Sequence, residues 1–434
     1  LLVILEAPDL FYLPSLASSA IPMKCLWLTR KYPRPANSGE LIYSDGLIRS
    51  LAKTDTELTV IAHDNGQKPV GNGSDLSVFH DGDGVEWRLG RPVLGSRVPS
   101  LFTKYPADTW RLKNGGPEKA FRQAFLTEDW DVIVIDHAAI AWAMNVIQRT
   151  RRSRSRGKFP QIVYVSHNHE AKIRREIAKN SSAFFLKKLA LQYDAEKYAR
   201  QENELCREVD LVTAITETEV AAYRKLFPDQ EYLCLTPGYD GFVAELGKKI
   251  GEDTPRRVVM SGSFEWIAKR INLDLFLEKA ASPLLDAGIE VQIVGKTEEK
   301  FRLEMVEKFP GIEFAGRVPE MTPYLLNARL SLIVEEFGGG FKLKALDYIF
   351  HGLPLAGLKN AVDGLPLSSP ENILLEPDTE ALVASIILCI DDMDRLNRMR
   401  ETSLKICCES FQWETRGRVL YERILNRSCR LSEE

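Results

Sequence analysis

The stretch GGGFKLKALDYIFHGLPLAG, Gly338 to Gly357, decides how this 434-residue chain is read. Three glycines lead into a segment where Leu343, Leu346 and Ile349 recur at the spacing of a helix with one face in a core. Lys342 and Lys344 fall in its first turns, and His351-Gly352-Leu353-Pro354 reads as a C-cap followed by a proline stop. A glycine-rich loop feeding a helix leaves backbone N–H groups unpaired at the positive end of the helix dipole, which suits a phosphate. A tight turn with two solvated lysines would look the same in sequence.

Composition sets the context for that loop. The length exceeds one ordinary core, so two domains are expected. With 44% hydrophobic and 27% charged residues, the chain has the composition of a soluble globular protein. A net charge of −4 offers nucleic acid no general attraction. The seven cysteines (Cys25, Cys206, Cys234, Cys389, Cys407, Cys408, Cys429) form no CxxC pairs. They read as reduced thiols of a cytosolic protein, with no metal expected. No apolar run reaches the roughly 18 residues of a membrane span. Residues 1–22 are apolar but broken by Pro8, Pro14 and Pro22, and Met23 opens MKCLWLT like a translation start. Residues 1–22 are therefore expected to be an upstream extension or expression artefact.

From Met23 the pattern alternates. Apolar runs at Cys25–Thr29, Glu57–His63, Val85–Gly90, Asp129–His137, Gln161–Glu170 and Val209–Thr216 read as strands. Helical stretches are expected at Glu40–Ala52, Trp142–Arg149 and Ala183–Cys206. Tyr232–Gly241 looks like a crossing segment, after which strands are expected at Arg256–Phe264, Glu290–Lys296, Ile312–Val318, Arg329–Glu336, Leu353–Leu358 and Glu371–Glu376. Such alternation specifies α/β architecture: two Rossmann-like, doubly wound parallel-sheet domains facing across a cleft, with ligands at the carboxyl ends of the strands.

In order along the second half, SGSFEWIAKRINLDLFL, VQIVGK, EFAGRVPEMTPYLLNARLSLIV and the opening stretch resemble the group 1 (family 4) glycosyltransferases of the GT-B fold. TPGYD resembles that family's interdomain linker, and FQWETRGRVLYERIL its closing helix, which crosses back to the first domain. FKLKALDYIFHGLPLAG is also similar to the xanthan-type glucuronosyltransferases. The resemblance implies an acceptor-binding domain over 23–237, a nucleotide-sugar donor domain over 238–408 and a returning helix over 409–434. It implies transfer of a sugar, from a donor such as a UDP- or GDP-sugar, to a glycan, lipid-linked glycan or small molecule. Exopolysaccharide or cell-surface glycan synthesis in the cytoplasm is the implied setting. A retaining outcome is favoured over an inverting one, with no cofactor beyond the donor. A nucleotide-sugar epimerase of the same fold, or a non-catalytic nucleotide- or sugar-binding protein, are the alternatives.

Position by position, Ser263 and Lys269 stand where the family grips the donor diphosphate, and Val318 and Glu320 lie in the segment that faces the base. Asp347 stands at the ribose-binding carboxylate and Gly339 at a second Glu position, with Glu335 and Glu336 just upstream. Gly339, Gly340, Phe341, Lys342 and Lys344 form the diphosphate cradle, and Gly39 would let backbone approach the same phosphates. His167 ends a strand of the acceptor half and is the leading catalytic candidate; Asn168 and His169 crowd the same end. Glu170 or Asp136 could act as base in an inverting reaction, and Asp136-His137 ends the neighbouring strand. Asp81-Gly82-Asp83 reads as a turn and not as a metal-binding Asp-x-Asp. The basic run with Arg149, Arg151, Arg152, Arg154 and Arg156 could hold anionic head groups at a bilayer, or be a solvated loop.

Overall fold

The computed structural model describes residues 21–66, 76–91, 96–113, 115–153, 159–180, 184–245, 249–265, 267–335 and 340–433. Two sheets organise them. The first contains β1 (Met23–Thr29), β2 (Thr56–His63), β3 (Leu76–His80), β4 (Glu86–Gly90), β5 (Val132–Asp136), β6 (Gln161–Val165), β7 (Leu211–Ala214) and β8 (Tyr232–Cys234). Their order is β3-β4-β2-β1-β5-β6-β7-β8, parallel throughout except where β3 pairs antiparallel with β4. The second contains β9 (Arg257–Ser261), β10 (Glu290–Val294), β11 (Glu313–Gly316), β12 (Leu330–Ile333), β13 (Leu355–Leu358) and β14 (Leu374–Glu376). Its order is β11-β10-β9-β12-β13-β14, all parallel. The two doubly wound α/β halves expected from the alternation are present.

Central parallel strands are covered on both faces, so they read as unbroken apolar runs. VIVID in β5 and QIVYV in β6 are buried at every position. Their register aligns the strand ends: Thr29 pairs with Asp136, and Asp136 with Val165, so the ends of β1, β5 and β6 lie side by side. In each sheet the order reverses beside the first strand, between β1 and β5 and between β9 and β12. Chains leaving such a switch point diverge to opposite faces and open a crevice, where open α/β sheets bind ligands.

Several elements differ from the sequence expectation. The edge strand β3 and the helices Ala107–Lys113 and Gly116–Thr127 were not expected. The helix expected over Ala183–Cys206 is the second arm of a hairpin, Glu170–Asn180 followed by Phe185–Glu208. Glu170 therefore begins a helix and does not end a strand. The helix expected to end at Arg149 continues to Ser153, so Arg149, Arg151 and Arg152 sit on helix, not loop; Arg154 and Arg156 lie outside the described residues.

The final helix, Trp413–Glu433, packs on the helix Gly39–Ala52, and Gln161 Nε2 donates to the Ile424 carbonyl at 3.1 Å. Trp413 is buried where that helix meets the segment after β8. A Cβ on Gly46 would lie 2.3 Å from the Trp413 ring, and one on Gly238 2.6 Å from it. Gly46→Ala is therefore expected to destabilise the chain by about 1–3 kcal/mol through overpacking. A lower urea midpoint at unchanged slope checks this; an unaltered midpoint would show that Trp413 moves aside freely.

Candidate active site

A cavity of about 620 Å³ lies between the halves. The first half lines it with Arg30, Gly39, Glu40, Tyr43, His137, His167 and Asn168, among others, and the second half with Lys269, Phe341 and Leu343. Its size is that of a small-molecule site, roughly 300–1,000 Å³.

The wall from the first half is built on the ends of β1, β5 and β6. Asp136 is fully buried. Its carboxylate accepts the Trp27 indole N–H at 3.0 Å and pairs with His167 Nε2 at 2.5 Å. Burial disfavours both charges, yet the opposed charge and the hydrogen bond outweigh it. Asp136 is held below the usual carboxylate range and His167 above that of a free imidazole. His167 Nδ1 is buried and has no partner among the described residues. The Tyr43 ring meets His167 edge-on, with centroids 5.2 Å apart, while its hydroxyl donates to the Leu235 carbonyl at 2.6 Å.

His137 behaves oppositely. Its backbone sits at φ 99°, and its Nδ1 accepts the Ala139 N–H at 2.9 Å, which leaves the proton on Nε2. Burial drives its pKa down to about 3. A neutral and a charged imidazole thus stand 5.4 Å apart. Glu170 Oε1 lies 3.6 Å from His137 Nε2, and the other oxygen accepts from Arg174 Nε at 3.1 Å. Glu40 pairs with Arg30 at 3.4 Å; burial raises its pKa, but Arg30, with charged His167 and Lys31, prevails and holds it low.

The wall from the second half opens at the second switch point. Lys269 follows β9, and Glu335 follows β12. Lys344 pairs with buried Glu335 at 2.5 Å and reaches the Ser261 carbonyl at 3.3 Å. The field of Glu335 is felt by Lys344, Lys342 and Lys269 together. Burial lowers the pKa of Lys269 and Lys342, with repulsion from Lys344 adding to it in both. Lys344, despite burial, is raised by Glu335. Lys342 also feels the carboxylates of Glu219 and Asp363. Gly340 sits at φ 76°, and a Cβ there would lie 2.2 Å from Asn168 Oδ1, so the segment before Lys342 touches the first half at a position where only glycine fits.

Of the residues singled out in sequence, Gly39, His167, Glu170, Lys269 and Phe341 line the cavity. Asp136 stands behind His167. Lys342 occupies the cap position before the helix Leu343–Phe350, and its Nζ lies 3.5 Å from the Gly340 carbonyl. Lys344 is committed to Glu335. Ser263, Val318, Glu320 and Asp347 do not line the cavity: Ser263 and Glu320 are exposed, Val318 packs at the edge of the second core, and Asp347 is bonded to Tyr239. Gly339 and Glu336 lie outside the described residues. Sequence reading passed over Arg30, Glu40 and Arg174. Arg30 directly follows β1, and Arg174 stands four residues after Glu170 on one helix, a spacing that signals a pair. Asp81 closes the β3–β4 turn, accepting the N–H groups of Asp83 and Val85 and pairing with Arg34 at 2.8 Å. No group of three or more metal-ligating side chains forms a metal site among the described residues.

Residues 255–392 match the family model of glycosyl transferases group 1. Among curated proteins none matches this chain. Solved structures resemble it over nearly its full length. Sucrose-phosphate synthase from Thermosynechococcus elongatus is 17% identical, covering 94% of this chain and 100% of its own, with a TM-score of 0.62. HepE of Anabaena, in complex with UDP-glucose, is 14% identical over 93% of this chain and 100% of its own, with a TM-score of 0.57. Trehalose-6-phosphate synthase OtsA is 10% identical over 92% and 98%, with a TM-score of 0.61. At these identities the likeness is one of fold.

Proposed function

We infer that this chain, a group 1 glycosyltransferase of the GT-B fold, moves a sugar from a nucleoside-diphosphate donor to an acceptor hydroxyl. One observation supports this most strongly: across one cavity Lys269, at the switch point where Lys342 and Lys344 share the field of Glu335, faces His167, which Asp136 backs. The donor diphosphate lies against Lys269, Lys342 and the backbone at Gly340. There a fixed positive field stabilises the departing diphosphate without reorganising during the reaction. The charge of these lysines makes a metal unnecessary for that step. His167 Nδ1, without a partner in the described structure, donates to an oxygen of the transferring sugar or its phosphate.

Asp136 lies behind His167 and Glu170 is engaged by Arg174, so neither is well placed to take the acceptor proton. This supports a retaining transfer, in which the leaving phosphate oxygen takes that proton. UDP is the favoured nucleotide, as HepE of similar fold holds UDP-glucose. The acceptor is a glycan or lipid-linked glycan of the cell surface, glycosylated on the cytoplasmic side.

A thermal-shift screen against UDP, GDP, TDP and their sugars tests the reading. A ligand at a hundredfold excess over its Kd adds about 2.7 kcal/mol of stability, enough for a clear rise in Tm. UDP and a UDP-sugar are expected to produce it. A flat response to all of them would overturn the assignment.

A further inference from the structure

The acceptor half carries a second surface whose chemistry the cavity does not use. The helices Glu170–Asn180 and Phe185–Glu208 pack together, tied by Arg175 to Glu196 at 2.8 and 3.0 Å. At the start of the second helix Phe184, Phe185 and Leu186 are 78%, 67% and 66% exposed. Leu189 and Tyr193 continue this exposed stripe at helical spacing. The short helical turn Val98–Phe102 lies alongside, because Lys197 Nζ donates to the Ser100 carbonyl at 2.5 Å and the Ala107 N–H to Asp194 at 2.7 Å. It adds Val98, Leu101 and Phe102, the last 87% exposed.

Single exposed apolar side chains are ordinary, but a run of eight from two adjoining segments is not. Its charges identify what it fits. Within residues 96–104 and 184–193 every charged side chain is a cation: Arg97, Lys104, Lys187 and Lys188, in a chain of net charge −4. Arg97 lies 3.5 Å from Asp108 and Lys104 donates to Asn145, whereas Lys187 and Lys188 have no ion-pair partner among the described residues. Phenylalanine, leucine and tyrosine interleaved with lysine is the chemistry of an interfacial helix, apolar groups entering the acyl boundary while ammonium groups stay with anionic head groups. A second copy of the chain fits poorly, since a two-fold contact would set these lysines against themselves.

We propose that this face docks on an anionic lipid bilayer. It is distinct from the basic run on the helix Trp142–Ser153 that sequence reading singled out. The other face of the hairpin's first helix turns Ile173, Arg174 and Ile177 into the cavity. Docking therefore sets the acceptor side of the cavity beside the bilayer, where a lipid-linked acceptor resides; this last step rests on the transferase reading.

Co-sedimentation with vesicles tests it, using phosphatidylcholine alone and phosphatidylcholine mixed with phosphatidylglycerol. The full chain is expected to sediment with the anionic vesicles, less so as salt rises, and not with the neutral ones. Phe102→Ser/Phe185→Ser/Leu186→Ser and, separately, Lys187→Gln/Lys188→Gln should each lower the bound-to-free ratio about tenfold or more. Both variants should keep the wild-type urea midpoint and nucleotide-induced thermal shift, so failure of docking and failure of the transferase reading are told apart. The proposal is overturned if the wild type ignores anionic vesicles or if these variants sediment like it. It is also overturned if only Arg149→Gln/Arg151→Gln/Arg152→Gln abolishes binding, or if the patch variants merely dissociate a dimer that does not bind vesicles.

Discussion

Replacing His167 with alanine is expected to lower donor turnover about a hundredfold to ten-thousandfold, the range for loss of a positioned acid–base or hydrogen-bonding group. The nucleotide-induced thermal shift should survive, because the lysines proposed to hold the diphosphate belong to the other half. A histidine at 5% exposure would ordinarily be neutral, but fully buried Asp136, 2.5 Å away, holds it protonated. The raised pKa of His167 contributes stability that is complete below the ordinary imidazole value of about 6.5 and is lost as pH rises through the raised value. The lowered pKa of Asp136 contributes stability present above about 3.9 and lost as pH falls through its lowered value. Between those limits the pair is at full strength. Asp136 is fully buried and does not line the cavity, so its proposed role is to position and charge His167. Asp136→Asn should therefore shift the alkaline limb of the kcat/KM–pH profile to lower pH, as burial of His167 is then opposed only by Glu40 and Glu170. An unmoved limb would remove Asp136 from the mechanism even if activity fell.

The second large effect is expected on the opposite wall. Lys342→Ala or Lys269→Ala should cost about a hundredfold or more in kcat/KM, the scale of losing one preorganised group at a developing charge. Stability should hardly fall, and could rise, because both ammonium groups are charged against burial and against Lys344. Lys344→Ala should behave differently: it strands Glu335, which is buried and already has one oxygen without a partner in the described structure, and so should destabilise the fold. Titrating UDP calorimetrically into each variant separates the cases. A Lys342→Ala protein that binds and turns over donor normally would mean that the glycine loop is only a turn.

Much of this arrangement was legible in sequence, for identifiable reasons. The strands around each switch point are buried on both faces, so their apolar runs stand out, and the polar residues ending them, Asp136 and His167, stand out against them. The helix after the glycines was readable because Leu346 and Ile349 are buried and Gly352 adopts φ 67° just beyond it. Less could be read where a partner is distant in sequence. Nothing local shows that Lys344 turns to Glu335, or that Asp347 meets Tyr239 more than a hundred residues away. The edge strand β3 was missed because its residues are half exposed and its pattern is weak. The hairpin of Glu170–Asn180 was missed because its helix begins where apolar strand character had only just ended.

The proposed chemistry puts a nucleotide sugar in the cavity between the two sheets, its diphosphate toward the lysines of the second half and its sugar toward His167. Release of nucleoside diphosphate from a panel of nucleotide sugars, followed by chromatography, measures this most directly. The wild type is expected to release UDP slowly from at least one UDP-sugar without added acceptor, with His167→Ala and Lys342→Ala both at least about a hundredfold slower. Tight binding of nucleotide with no release from any sugar, in the wild type as in the variants, would contradict it.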